Sequence, residues 1–192
     1  MRIDPIKSKK ERDRNVSEDQ SIPSYGGTST ISEFRGAAIR SSDAQFGIVV
    51  SQFNESITQD LLRGCVETLS SYKVTRINVV WCPGAFELPL AAERMINANH
   101  YDAVIALGAV IRGETYHFEA ISNAAINGLQ EVALRTGVPV ALGVITTETL
   151  EQARIRSTSG PNHKGKEAAL AALEMSDLLQ KLPHCPTDYE SI

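Results

Sequence analysis

At 192 residues and a formal net charge of −4, the chain is long enough for one substantial hydrophobic core and carries no bulk positive field of the kind that recruits nucleic acid or anionic membranes. Its hydrophobic share of 42% is ordinary for a globular protein, and no apolar run reaches membrane-spanning length or forms an N-terminal signal region. Cys65, Cys82 and Cys185 are too few and too far apart for a disulfide framework or a CxxC site, which points to reduced thiols in a cytoplasmic protein.

Residues 1–32 are rich in Lys, Arg, Asp, Glu and Ser, lack apolar periodicity, and read as a disordered N-terminal extension. The acids Asp4, Glu11, Asp13, Glu18 and Asp19 argue against a transit peptide. One domain is expected over residues 33–182, followed by a short frayed tail over 183–192. Within the domain, a strand over 46–51 leads to a helix over 57–72, and a strand over 76–82 to a helix over 88–99. Pro89 suits the first turn of that second helix, where no N–H is needed. A third strand, 103–111, is an unbroken Val, Ile and Ala run suited to burial on both sheet faces. In the helix predicted over 115–136, Ile121, Ala125, Leu129 and Val132 keep the 3.6-residue period and Gly137 is a stop signal. A fourth strand over 138–146 and helices over 149–156 and 166–181 complete the pattern. Repeated strand–helix units imply an α/β domain in three layers, with a four-stranded parallel sheet between flanking helices.

In such sheets ligands bind beyond the carboxyl ends of the strands, and the unusual residues gather there. Phe53 and Phe86 are loop aromatics able to cover a planar ring, with peripheral core packing as the plainer alternative. Asn54 suits a polyol contact or a helix N-cap, and Glu87 suits hydroxyl recognition or a helix N-terminus. After the third strand, Gly113, Glu114 and Thr115 precede a helix whose free N–H groups would face an anion, with Glu114 expected to turn away from it. His117 then stands one turn inside the helix's positive end, where an acid–base role competes with that of an idle surface histidine. Arg156 and Lys164 flank the turn over 157–162. Residues 160–166 match GxxxxGK superficially, but Glu167 occupies the magnesium-binding Ser/Thr position and a helix precedes the segment where a strand is required. No GxGxxG follows a strand and no metal-ligand spacing is present, so neither a dinucleotide cofactor nor a metal is expected.

Five ordered blocks carry a family resemblance: FGIVVSQFNESIT (46–58), PGAFELPLAA (83–92), DAVIALGAVIRGETYHFE (102–119), PVALGVITTETLEQA (139–153) and NHKGKEAALAALEM (162–175). Together they resemble the 6,7-dimethyl-8-ribityllumazine synthases of riboflavin biosynthesis. The resemblance implies a flavodoxin-like sandwich and a transferase without cofactor or metal. The reaction implied is condensation of 5-amino-6-(D-ribitylamino)uracil with 3,4-dihydroxy-2-butanone 4-phosphate. It further implies that Phe53 stacks on the pyrimidine, that Asn54, Phe86 and Glu87 hold the ribityl chain, that Ala85 is among the substrate-binding residues, and that Val110 and Ile111 offer backbone contacts to the uracil edge. Gly113, Glu114 and Thr115 would cradle phosphate, His117 would move protons, and Leu142, Arg156 and Lys164 would come from an adjacent subunit. The implied assembly is a homopentamer, with an icosahedral shell of sixty subunits and an association with riboflavin synthase left open. Residues 34–39 would add a strand to a neighbour's sheet. The chain departs from the family where Leu142 replaces a frequent phenylalanine, where the turn over 157–162 differs, where the connection over 72–75 is shortened, and in residues 1–32. A non-catalytic flavin- or lumazine-binding shell protein is the alternative.

Overall fold

Two of the chain's strands are apolar on both sides, and the fold follows from covering them. The computed structural model describes residues 31–39, 42–158, 160 and 162–183; all but two residues of the expected extension over 1–32, and all but the first residue of the expected tail over 183–192, lie outside these. In chain order the elements are β1 (Gln45–Ser51), α1 (Glu55–Ser71), β2 (Arg76–Cys82), a 3-10 turn (Ala85–Glu87), α2 (Leu88–Ala98) and β3 (Ala103–Ile111). They continue with α3 (His117–Thr136), β4 (Val140–Thr147), α4 (Leu150–Ser157) and α5 (Lys164–Lys181). The sheet is entirely parallel in the order β2-β1-β3-β4, which is the flavodoxin-like α/β arrangement expected from the sequence.

Because side chains alternate along a strand, the two central strands feed two separate cores. Phe46, Ile48 and Val50 of β1 and Ile105, Leu107 and Ala109 of β3 meet Leu61, Cys65 and Leu69 of α1 and Ala169, Ala172 and Leu173 of α5. Val49, Val104 and Ala106 face the other way, onto Leu88, Ala92 and Met95 of α2 and Ala125, Leu129 and Val132 of α3. Gly137 ends α3 in the left-handed conformation (φ 69°) that only glycine adopts without strain, as its stop role required. Among the described residues no helix is long and apolar enough to cross a membrane.

Several elements differ from expectation for identifiable reasons. β4 opens at Val140, two residues later than expected, after a proline that has no N–H for the ladder. α5 opens at Lys164 because His163 serves as its N-cap, its ring accepting a hydrogen bond from the Gly165 N–H at 3.2 Å. Residues 34–39 form no strand in this subunit. They lie along α5 instead, where the Ala37 N–H donates to Asp177 Oδ2 at 2.8 Å and Lys181 Nζ donates to the Arg35 carbonyl at 3.1 Å.

α1 and α5 approach closely enough to exclude side chains at the contact. A methyl group on Gly165 would stand 2.0 Å from the Leu61 carbonyl oxygen, and one on Gly64 would stand 2.3 Å from Cε1 of His163. The His163 imidazole is thus buried between the helices as a neutral acceptor. Burial, helped by the nearby Lys166 charge, holds its pKa below the ordinary 6.5, against opposing pulls from backbone hydrogen bonds and Glu67.

A histidine with a depressed folded-state pKa binds a proton more readily when unfolded, so its contribution to stability is lost as pH falls below 6.5. Replacing His163 with Asn keeps an N-cap acceptor without a titrating group. Denaturant titrations at pH 7 and roughly pH 5.5 should show wild type losing stability between the two while His163→Asn loses measurably less. Equal losses in both proteins would remove His163 from the pH response.

Candidate active site

Beyond the carboxyl ends of β1, β2 and β3 lies a cleft of about 570 Å³. Its position follows from the strands: their backbones end together, and the loops that replace them diverge. Phe53 enters the cleft from the β1–α1 connection, and residues 83–87 enter from the segment after β2. Ala109, Val110 and Ile111 supply the end of β3, followed by Gly113 and Thr115. His117, Phe118 and Ile121 form the wall contributed by α3. The first two loops are tied together, since the Gln52 N–H donates to the Cys82 carbonyl at 2.8 Å and the Phe53 N–H to the Pro83 carbonyl at 3.0 Å.

Phe53 is 72% exposed and Phe86 58% exposed, so neither is a peripheral core residue in this subunit. Two large aromatic faces are open at one cleft. Ala85, by contrast, is buried beneath them, while Val110 and Ile111 are half-buried in its floor.

Asn54 does not act as a side-chain N-cap. It precedes α1 in the left-handed conformation (φ 60°) and makes no side-chain cap bond. Its side-chain amide donates to the Ala109 carbonyl at 2.8 Å, which fastens the start of α1 to the end of β3. Glu87 likewise makes no cap bond to α2. Its carboxylate folds back near Gly84, where a methyl group would stand 3.1 Å from Oε2. Burial first, and the Glu87 charge second, push the Cys82 thiol up to about 11, which keeps it protonated.

The segment after β3 is where the structure corrects the sequence most. α3 begins at His117, so this histidine is the helix's first residue and not one turn inside it. Thr115 ends the helix approach as a local acceptor: its Oγ1 receives the His117 N–H at 3.4 Å. The N–H groups of Gly113, Glu114 and Thr115 have no acceptor among the described residues. Glu114 is exposed and is not part of the cleft lining. The Gly113 Cα faces open space, with nothing within 4 Å of the place a methyl group would occupy. A short run of unspent donors therefore borders the cleft beside an imidazole.

Leu142, Arg156 and Lys164 do not join this cleft. Leu142 projects from β4 and is 49% exposed. Arg156 Nη1 donates to the Gln152 carbonyl at 3.0 Å within α4, and Lys164 pairs with Glu167 at 2.6 Å at the start of α5. These three lie apart from it, on β4, on α4 and at the start of α5.

The sequence reading missed Arg112, Phe118 and Ile121 as parts of the cleft or its frame. Ile121 was assigned to the core by its periodicity, and it does pack there. Its position four residues beyond His117, on the same helix face, was the signal that it also lines the cleft. Arg112 carried no local signal, because one of its two carboxylate partners lies on a different loop.

Residues 43–180 match the sequence profile described as 6,7-dimethyl-8-ribityllumazine synthase. The match spans β1 through nearly all of α5. It therefore includes every loop at the cleft and also Leu142, Arg156 and Lys164.

A methyl group on Gly113 would meet no neighbour within 4 Å, so packing does not require glycine there. Gly113→Ala should leave the thermal midpoint of the protein unchanged while weakening inorganic phosphate binding about tenfold, a change of about 1.4 kcal/mol. Scanning calorimetry and phosphate titration of the same samples check this. Unchanged phosphate affinity would separate the loop from anion binding.

Proposed function

The chain belongs to the 6,7-dimethyl-8-ribityllumazine synthase family of riboflavin biosynthesis, and from that premise we propose that it joins 5-amino-6-(D-ribitylamino)uracil to 3,4-dihydroxy-2-butanone 4-phosphate, giving 6,7-dimethyl-8-ribityllumazine, phosphate and water. The observation that carries this reading is one cleft holding exposed Phe53 and Phe86, the unspent N–H groups of residues 113–115, and His117. An aromatic face suits the pyrimidine, backbone donors suit phosphate, and the imidazole lies between those functions.

In this reading Phe53 stacks on the uracil ring, whose edge meets the backbone at Val110 and Ile111. Phe86 and Glu87 hold the ribityl chain, while Asn54 acts mainly by fixing the loop that carries Phe53. The aromatic amine attacks the ketone, and loss of water gives an imine. Phosphate then leaves, and the second amine closes the ring with loss of another water. Each stage moves protons on nitrogen, carbon or oxygen, and none needs an oxidant. His117 serves as the shuttle, a role typically worth about 10²–10⁴-fold. Holding both reactants at one place lowers the barrier further by removing the entropy of encounter.

The subunit's own cleft lacks a fixed cation. Among the described residues that line it there is no Lys or Arg, and Glu87 is the only carboxylate. Arg156, on α4, is the guanidinium suited to a bidentate phosphate contact, joined by Lys164. A head-to-tail ring brings Leu142, Arg156 and Lys164 to the next subunit's cleft, as in the pentamer implied by the family resemblance. Exposed Phe53, Phe86 and Leu90 around the cleft and Leu142, Leu150 and Ile155 on β4 and α4 supply apolar area for such a contact. We place this reaction in the cytoplasm.

Mixing the two substrates with the protein should produce the lumazine absorbance above the uncatalysed rate; ligand binding without turnover would instead indicate a non-catalytic binding protein. His117→Ala should lower kcat about a hundredfold or more with little change in KM for the butanone phosphate. Wild-type turnover at saturation would exclude His117 from proton transfer.

Shared sites also make a complementation test possible. His117→Ala and Arg156→Ala proteins should each be impaired as separate assemblies. After dissociation and reassembly as an equal mixture, about a quarter of the interfaces should pair an intact His117 with an intact Arg156 and regain activity. Activity no greater than the mean of the two parents would mean that both residues serve a site within one subunit.

A further inference from the structure

Where β3 leaves the sheet, Arg112 joins three parts of the structure. Its Nε donates to Glu148 Oε2 at 2.5 Å, reaching the connection between β4 and α4. Its Nη1 donates to Glu119 Oε1 on the first turn of α3. The guanidinium carbon lies 4.3 Å from the centre of the Phe118 ring, which lines the cleft. The Arg112 backbone N–H is fixed as well, donating to the Thr147 carbonyl at 2.9 Å. Both of its ion pairs and its ring contact are directed into the protein framework.

We propose that Arg112 is a positioning residue for the phosphate-bearing substrate: it clamps residues 113–115 and Phe118 in the shape the cleft requires, without itself binding phosphate. This rests on the proposed reading of the cleft. The free N–H groups of residues 113–115 belong to neither strand nor helix, so their direction depends on the anchors at each end. The Thr115–His117 bond is one anchor, and Arg112 is the other. Two carboxylates already neutralise its charge, which leaves a weak field for a third anion. The Glu119 oxygen that Arg112 does not engage is buried without a partner, so the clamp also holds a carboxylate that has nowhere else to turn.

The same bonds continue toward Arg156. The Glu148 N–H donates to Gln152 Oε1 at 2.9 Å, and the Gln152 carbonyl accepts from Arg156 Nη1 at 3.0 Å. Arg112 thus stands at one end of a hydrogen-bonded series that runs from the cleft wall into the helix presenting Arg156. One residue braces the loop that a subunit uses itself and the base of the helix that it offers to a neighbour.

The test uses the full-length chain with Arg112→Ala, Arg112→Lys and Glu148→Gln. Arg112→Ala should raise KM for the butanone phosphate about tenfold, with kcat and KM for the ribitylaminouracil changing less than about threefold. Amide hydrogen exchange over residues 113–116 should accelerate about tenfold in the same variant. Arg112→Lys should not rescue either property, because a single ammonium cannot reproduce the two-armed fork. Glu148→Gln should shift both in the same direction by a smaller factor, which keeps a measurement in hand if Arg112→Ala folds poorly. Recovery of KM by Arg112→Lys would indicate a direct charge contact and overturn the proposal, as would unaltered exchange in both Arg112→Ala and Glu148→Gln. Failure of the wild type to form lumazine would remove the proposed reaction, whereas the exchange measurement judges the clamp without reference to turnover.

Discussion

The constraint on which the rest depends is that β3 is buried on both faces between β1 and β4. Its residues from Ala103 to Ala109 are inaccessible to solvent or nearly so. Such a strand admits no polar side chain without a partner, because an unpaired polar group there costs free energy with nothing to offset it. Polar chemistry is therefore confined to the strand's end, where the ladder stops. The cleft lies there because it is the first place along β3 where donors and charges are tolerated. Asn54 strengthens that boundary by bonding the Ala109 carbonyl, and Arg112 strengthens it from the other side.

The same confinement explains what could be read from sequence. β3 and β1 were legible because burial on both faces demands an unbroken apolar run, and α1, α2 and α3 were legible because burial on one face imposes a 3.6-residue period. The loops carrying Phe53, Phe86, Gly113 and His117 followed, since parallel connectivity places all of them at one end. What failed was local conformation set by distant partners. The start of α3 moved to His117 because residues 113–116 follow a non-helical path, and the Asn54 side chain reached β3 in place of its own helix. Arg112 was invisible for the same reason, as its role exists only when Glu148 is brought beside it by the β3–β4 pairing.

A second class of residue was legible by resemblance alone. Nothing in the spacing of Leu142, Arg156 and Lys164 connects them with the cleft, and within one subunit they stand apart from it. Their local partners are ordinary for helix surfaces: Arg156 bonds its own helix and Lys164 forms an i,i+3 pair with Glu167. The exposed Lys164–Glu167 pair holds its side chains only weakly, by about 0–1 kcal/mol.

The packing of His163 against Gly64 has a consequence for how this sequence can vary. With an imidazole at 163 there is no room for even a methyl group at 64 while the helices keep the close approach that Gly165 permits against the Leu61 carbonyl. A shorter cap such as asparagine would free that space. The residues tolerated at 64 and at 163 are then a single joint choice, and homologous chains should show the two positions changing together, with alanine at the first accompanying a small side chain at the second.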